Sequence, residues 1–235
     1  MYQTTKTYIR SGMMMAELID DNPYLLLMLQ HFEIDYVARD KTVRQVCETH
    51  AIHPLLFMRI GNLYNGFRPE PDQHCTTQDI EALLRFLSNS HVYYKHDKYP
   101  EIRSYISQLY QYSHQEEVKL IEAFFDDYFN EVLEHLNYEE QVVFPYFSSL
   151  AGMGSQAAFT TMRASEYAEH HSDIETKLSD LKNLLLHHLP VRKEYTIRRK
   201  LIFSLLELEY DLKIHSEIEE HILMPLATSL EGEGV

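Results

Sequence analysis

Glycine and proline are scarce in this chain, with seven and eight residues in 235, and few stretches alternate Val, Ile or Thr with polar residues. Both shortages remove the material of hairpins and sheets, so the chain reads as nearly all helix. Its two cysteines, Cys47 and Cys75, form neither a CxxC pair nor a zinc spacing. A disulfide framework is therefore excluded, and a reducing compartment fits. No run of eighteen apolar residues occurs, and "MYQTTKTYIRSGMMMAELIDD" lacks the apolar segment and cleavage site of a signal peptide. The expectation is a cytoplasmic protein with no membrane partner. Positive charge is also short: 21 Lys and Arg stand against 36 Asp and Glu, a net of -15. Such a chain repels a phosphate backbone, which argues against nucleic acid as a partner. Residues 1 to 70 hold seven basic and eight acidic residues, a net of -1, so the remaining -14 lies after them.

What is present is helix punctuated by a few breaks. The stretch "YNGFRPEPDQHCTT" holds Gly66, Pro69 and Pro71 and ends in two threonines able to cap a helix. It divides a small helical N-terminal module, residues 1 to 70, from a larger part, residues 77 to 230. In the module, Asn22-Pro23 and His53-Pro54 break three or four short helices, and the methionines at 13 to 15 read as a helix face. In the larger part four long helical segments run roughly over 77–112, 114–150, 155–189 and 193–230. Short connections between long helices imply antiparallel neighbours, hence an all-α, up-down-up-down four-helix bundle.

Two segments, "HLNYEEQVVFP" at 135–145 and "HSEIEEHILMP" at 215–225, share one pattern eighty positions apart. A His followed four residues later by a carboxylate puts both on one helix face. Alone, the signal is weak. Composition predicts about two such pairs by chance, and the sequence holds four: His31 with Asp35, His135 with Glu139, His171 with Glu175, and His215 with Glu219. Spacing carries more. In antiparallel helices, residues equidistant from a tight turn sit at one height. His91 and His135 centre on position 113, His135 and His171 on 153, and His171 and His215 on 193, each inside a predicted connection. Four imidazoles and two carboxylates, Glu139 and Glu219, then share one layer with approximate two-fold symmetry. That donor set suits a carboxylate-bridged pair of metal ions, with iron, manganese, zinc and copper all compatible.

Around this layer, Glu131 and Asp211 each precede their His by four residues and are candidates to accept its Nδ1 proton, weighed evenly against a place on the exposed face. Glu175 is read as surface or as support for His171. His31, His50, His53, His74, His187, His188 and His221 fit no layer and are expected at the surface. Tyr93, Tyr94, Tyr138 and Tyr167 are read as packing residues, Cys47 as a small buried apolar one. Pro145 and Pro225, ten residues after their histidines, are expected to kink or end their helices.

Carried by "SHVYYKHDKYPEI", "HLNYEEQVVFP", "EHHSDIETKL" and "HSEIEEHILMP", the larger part resembles the hemerythrin HHE domain. Among its members the chain is most similar to the RIC-type di-iron proteins associated with repair of iron-sulfur clusters. The resemblance implies His91, His135, His171 and His215 as iron ligands, with Glu139 and Glu219 as bridges, around two non-haem irons that are oxo- and carboxylate-bridged. Oxygen-carrying hemerythrins place a second His on the third helix where this chain has Glu175, and an Asp five residues after the fourth-helix His where this chain has HxxxE. The N-terminal module resembles, more weakly, the one that precedes the di-iron domain in the repair proteins, through "KTVRQVCETHAIHPLLFMRIGNLY". The adjacent cysteine pair common there is missing. The implied function is a stress-response protein handling NO, O2 or peroxide, or restoring damaged iron-sulfur proteins. The alternatives are a non-enzymatic gas sensor signalling through the N-terminal module, and simple iron binding. Turnover and homodimerisation are left open by the sequence.

Overall fold

A computed structural model describes residues 7–35, 40–68, 76–114, 116–152, 164–187 and 194–226. Among them every regular element is helical. An isolated bridge between Met14 and Thr42 is the single extended pairing recorded there. No helix of the described residues is long and apolar enough to cross a membrane. The chain divides into two compact units, one made of residues 1–90, 144–157 and 214–235, the other of residues 91–143 and 158–213.

The first unit contains four short helices, α1 (Met15–Asp21), α2 (Leu25–His31), α3 (Val43–His50) and α4 (Pro54–Tyr64). Their ends follow the sequence signals. Asn22 closes α1 just before Pro23, and Pro54 occupies the first turn of α4, where a missing N–H costs nothing. Thr42 and Gln45 form a reciprocal capping box at the start of α3, and Ala51 ends that helix in the left-handed region. Of the methionine triplet only Met15 lies inside a helix, and it is fully buried. Polar side chains lock the module where its helices meet. Asn62 accepts from the Ile9 amide at 2.7 Å and donates to the Ile9 carbonyl, while Asn22 donates to the Tyr64 carbonyl and the Asn65 side chain. Helix α5 (Thr77–Tyr93) begins with the Asp79 carboxylate accepting from the Thr76 amide at 2.7 Å. The segment carrying Pro69 and Pro71 lies outside the described residues.

One sequence expectation changes in this unit and one holds. His31, expected at the surface, is buried and lies edge-on to Phe86, because α2 turns its last residue inward against an aromatic cluster that includes Phe32 and Phe57. Cys47 is fully buried as expected, and burial pushes its thiol up to about 12. A thiolate is the reactive form, so Cys47 should resist a thiol reagent such as dithionitrobenzoate in the native protein and react once urea unfolds it. Rapid native modification mapped to Cys47 by mass spectrometry would contradict this.

In the second unit α6 (Tyr99–Ser113), α7 (Glu116–Tyr138), α9 (Ala164–His187) and most of α10 (Tyr195–Ile218) close a four-helix ring. Helix α6 turns into α7 at His114, which takes the left-handed conformation of a helix stop. The two then pack antiparallel through Tyr99, whose ring stacks 3.8 Å from that of Phe129 and whose hydroxyl donates to Asp126. Helix α7 packs on α9, where Lys177 pairs with Glu131. Helix α9 meets α10 through Lys182 and Glu209. Helix α10 closes on the first segment by Tyr94 to Asp211, Lys98 to Glu207, Ser204 to Glu101 and Lys200 over the Tyr105 ring. The position numbers in each of those four pairs add to 305, which is antiparallel packing centred on 152–153, where the sequence centred His135 and His171.

Prolines do not end these helices. Pro100, Pro145 and Pro225 each follow a five-residue π-turn, at Tyr94–Lys98, Glu139–Val143 and Glu219–Leu223, and helix resumes at once. A proline removes one ladder donor and its ring presses on the carbonyl four residues back. Widening the preceding turn to i→i+5 bonding, as in Tyr99 N–H to Tyr94 carbonyl, relieves that clash while the axis continues. Helix α9 has no proline and no π-turn over its length, so the correlation holds on all four segments. The expectation of a kink or an end at Pro145 and Pro225 is replaced by a local widening. Helix α8 (Phe144–Leu150) follows directly on the second π-turn.

A part-buried ion-pair network ties α6 to α10. Lys98 reaches Glu101 at 2.6 Å and Glu207 at 2.7 Å. Burial works to lower the Lys98 pKa, but the bonds to the two glutamates outweigh it and the net shift is upward. For Glu101, burial pushes upward and the bonds from Lys98 and Ser204 win, leaving it below its ordinary value. A depressed carboxyl stabilises the fold above its unfolded pKa and loses that contribution as pH falls through the folded value; a raised lysine does so below its unfolded pKa and loses it as pH rises. The network should therefore contribute fully between the ordinary values of 4.5 and 10.5 and fade outside them. Comparing urea midpoints from pH 3 to 7, Glu101→Gln should lose part of the acid limb of stability seen in the parent; parallel curves would contradict this.

Candidate metal centre

Helix spacing brings His135 and Glu139 onto one face of α7 at the point where the second π-turn begins. His135 Nε2 lies 2.7 Å from Glu139 Oε1. From the preceding helical segment, His91 Nε2 lies 3.1 Å from Glu139 Oε2. Glu139 thus sits between two imidazoles, one on each oxygen, and its side chain and that of His91 are 0% exposed. His91 and Glu139 offer ligand atoms spaced closely enough to hold a cation. The other nitrogen of His91, Nδ1, is 2.9 Å from Glu140 Oε1, which Lys95 also binds at 2.7 Å. Burial raises the Glu140 carboxyl, but Lys95 and His91 outweigh it, so Glu140 stays below its ordinary pKa. An ionised Glu140 accepts from His91 Nδ1 and so fixes the ring with Nε2 turned to Glu139.

The first unit repeats this arrangement with different partners. His215 and Glu219 share a face, His215 Nε2 lying 3.4 Å from Glu219 Oε1, and both side chains are buried. Glu219 opens the third π-turn as Glu139 opens the second. Ser90 Oγ lies 2.8 Å from His215 Nδ1 and donates its own proton to the Leu87 carbonyl at 2.7 Å. Since the hydroxyl proton is spent on Leu87, Ser90 accepts from Nδ1–H, and the Nε2 lone pair of His215 is again the one turned to Glu219. Ser90 does not stand out in the sequence, and Glu140 does so only as the second acid of the repeated HxxxEE pattern. The signal available was adjacency: Ser90 precedes a ligand candidate and Glu140 follows one.

Outer positions lose the symmetry of the repeat. Asp211 is buried and accepts from the Tyr94 hydroxyl at 2.8 Å. Glu131, its mate eighty residues earlier, is 48% exposed and pairs with Lys177. The difference has a cause in sequence, because the residue eighty positions after Tyr94 is Ile174, which has no hydroxyl to hold a carboxylate inside. Tyr93 donates to Glu207 at 2.6 Å, and burial together with that bond drives its phenol upward. Tyr138 is exposed. His171 and Glu175 lie on α9, but their side chains, like that of Tyr167, are outside the described residues. Among the remaining histidines, His53 is half-exposed and meets Asp79 at 3.2 Å, while His50 and His221 are intermediate. His74 and His188, with the side chain of His187, lie outside the described residues.

Imidazole Nε2 atoms facing buried carboxylate oxygens, with the Nδ1 atoms of His91 and His215 held by acceptors, are the donor chemistry of a first-row metal site. The four-helix ring and these donors define a helical metal-binding bundle. Residues 100–227 match the family model of the hemerythrin HHE cation binding domain, 128 of the 235 residues, and the chain belongs to that family. Its role is cation binding, in this family typically of iron. His91 lies nine residues before the matched span; His135, Glu139, His171, His215 and Glu219 lie inside it. No curated protein matches the chain.

The Ser90 contact makes a direct prediction. Ser90→Ala removes the acceptor on His215 Nδ1 and should weaken metal binding at that half by roughly 10- to 100-fold, with a stability change of about 1 kcal/mol. Anaerobic titration with Fe(II), paired with thermal melts of the metal-free protein, separates the two effects. Equal affinity in parent and variant would contradict the role given to Ser90.

Proposed function

We propose that the chain is a non-haem di-iron protein of nitrosative or oxidative stress, holding two iron ions through His91, His135, Glu139, His171, His215 and Glu219. The observation that carries it is Glu139, a fully buried carboxylate with an imidazole Nε2 facing each oxygen. A carboxylate has room for two cations, one per oxygen, and such burial is costly without them or the paired histidines. The eighty-residue repeat supports a second, equivalent set in His215 and Glu219. Bound iron would supply redox capacity and an open position for NO, O2 or peroxide. The chain's own part is to present imidazole Nε2 atoms and the carboxylates of Glu139 and Glu219 to the ions and to exclude water.

Repair of damaged iron-sulfur proteins is the physiological role this site would serve, with homodimerisation an additional arrangement. The competing reading is a gas sensor relaying through the N-terminal module. A contact from α4 to the third π-turn gives that reading its support. Metal analysis and an optical spectrum of the purified protein form the decisive first test. Two irons per chain are expected; one zinc with no visible absorption would end the di-iron reading. Repeated turnover with NO or peroxide, against stoichiometric uptake, then separates chemistry from sensing, and restored activity of a damaged iron-sulfur enzyme on mixing would favour repair.

A further inference from the structure

Helix α4 of the N-terminal module places a guanidinium among fully buried Leu56, Phe57 and Ile60. This is Arg59, 8% exposed, whose Nη2 donates to the His221 carbonyl at 3.4 Å. Burying a guanidinium is costly unless its donors are used, so the placement needs a compensating acceptor. His221 supplies one for a specific reason. It lies in the π-turn Glu219–Leu223, and the residue four positions on, which would donate to its carbonyl in an α-helix, is Pro225. Proline has no N–H. Arg59 therefore offers a donor at the carbonyl that Pro225 cannot serve. Two residues before that carbonyl the same π-turn begins with Glu219, buried beside His215.

We propose that Arg59 is a positioning residue for Glu219: through the His221 carbonyl, α4 holds the π-turn in the conformation that buries the Glu219 carboxylate one turn from His215. The inference rests on the reading of His215 and Glu219 as metal-holding residues and adds a consequence. Occupancy of that half is coupled to docking of α4, and by reciprocity a partner that moves α4 changes metal affinity there, while metal tightens α4. The second π-turn, Glu139–Val143, lies in the other unit and is the internal control.

The test uses the full chain, metal-free and loaded. Arg59→Met keeps the apolar stem and removes the donors; Arg59→Lys keeps a charged donor. In the metal-free protein, amide hydrogen exchange over 219–226 should be roughly tenfold faster in Arg59→Met than in the parent, unchanged over 139–143, and largely restored in Arg59→Lys. In anaerobic Fe(II) titrations iron should bind roughly 10- to 100-fold more weakly in Arg59→Met. Pro225→Ala returns an amide to the His221 carbonyl, so Arg59→Met should have little further effect on exchange in that background. Parent-like exchange and affinity in Arg59→Met, or an equal effect with and without Pro225, overturns the proposal. Should Arg59→Met alone fail to fold, recovery of folding by Pro225→Ala supports it and no recovery overturns it. If the parent binds no iron, the di-iron reading fails, while the exchange measurements still decide the role of Arg59.

Discussion

Glu139→Gln is expected to abolish stable iron loading, lowering affinity by more than about 100-fold, or roughly 2.7 kcal/mol. The amide keeps the volume of the carboxylate, so packing is preserved. What changes is the donor. A buried carboxylate with both oxygens facing Nε2 atoms, at 3.1 Å and 2.7 Å, becomes a neutral group with one oxygen and one NH2. An NH2 cannot ligate a cation, and with the negative charge lost the donor set no longer balances a divalent ion. Iron per chain after anaerobic reconstitution and dialysis reads the effect. Glu131→Gln, on the same helix but paired with Lys177 at the surface, should load like the parent. Full occupancy with an unaltered spectrum in Glu139→Gln would remove this residue from the centre.

Phe125→Ala should be the most damaging single change to the fold of the second unit, at about 3–5 kcal/mol. Its ring is fully buried on α7, with Tyr99 at 5.4 Å, Tyr128 at 6.3 Å and Phe129 at 6.4 Å between ring centres. Truncation leaves an apolar cavity at the contact of α6 with α7, on the helix that carries His135 and Glu139. For a chain of this size the loss corresponds to a fall of roughly 6–20 °C in melting temperature. Iron at a hundredfold excess over its dissociation constant would add about 2.7 kcal/mol to parent and variant alike, so the deficit should be the same with and without iron. Leu120→Ala, also on α7 but 70% exposed, should stay within about 0.5 kcal/mol. Urea unfolding with and without iron compares them, and a Phe125→Ala variant as stable as Leu120→Ala would be incompatible with this packing.

The i+4 pairs of the candidate centre could be read from spacing alone. Histidines equidistant from three turns, each of two followed by Glu at i+4, predict side chains at one height because helix rise is constant, and the antiparallel pairing centred on 152–153 is the one that arithmetic requires. His135 with Glu139 and His215 with Glu219 share faces as the four-residue interval dictates. Other features resisted such reading. Pro145 and Pro225 were visible, but whether a proline bends a helix, ends it or widens a turn depends on what the surrounding packing permits. His31 carries the same HxxxD appearance as a surface pair, and only the neighbouring Phe86 draws it inside. Glu131 and Asp211 occupy equivalent places in the repeat, and their separation into a surface residue and a buried one follows from Tyr94, a residue far away in sequence.

By itself, then, the sequence determined an all-α chain, the breaks at Pro23 and Pro54 and the two His–Glu pairs at i+4, because these depend on local propensity and on periodicities that a linear pattern records. Tertiary structure decided which groups hold each Nδ1, Glu140 for His91 and Ser90 for His215, and that Arg59 answers Pro225 at the His221 carbonyl. Those partners lie 49, 125 and 162 residues apart. Their pairing depends on which side chains meet when helices pack, and no interval along the chain encodes it.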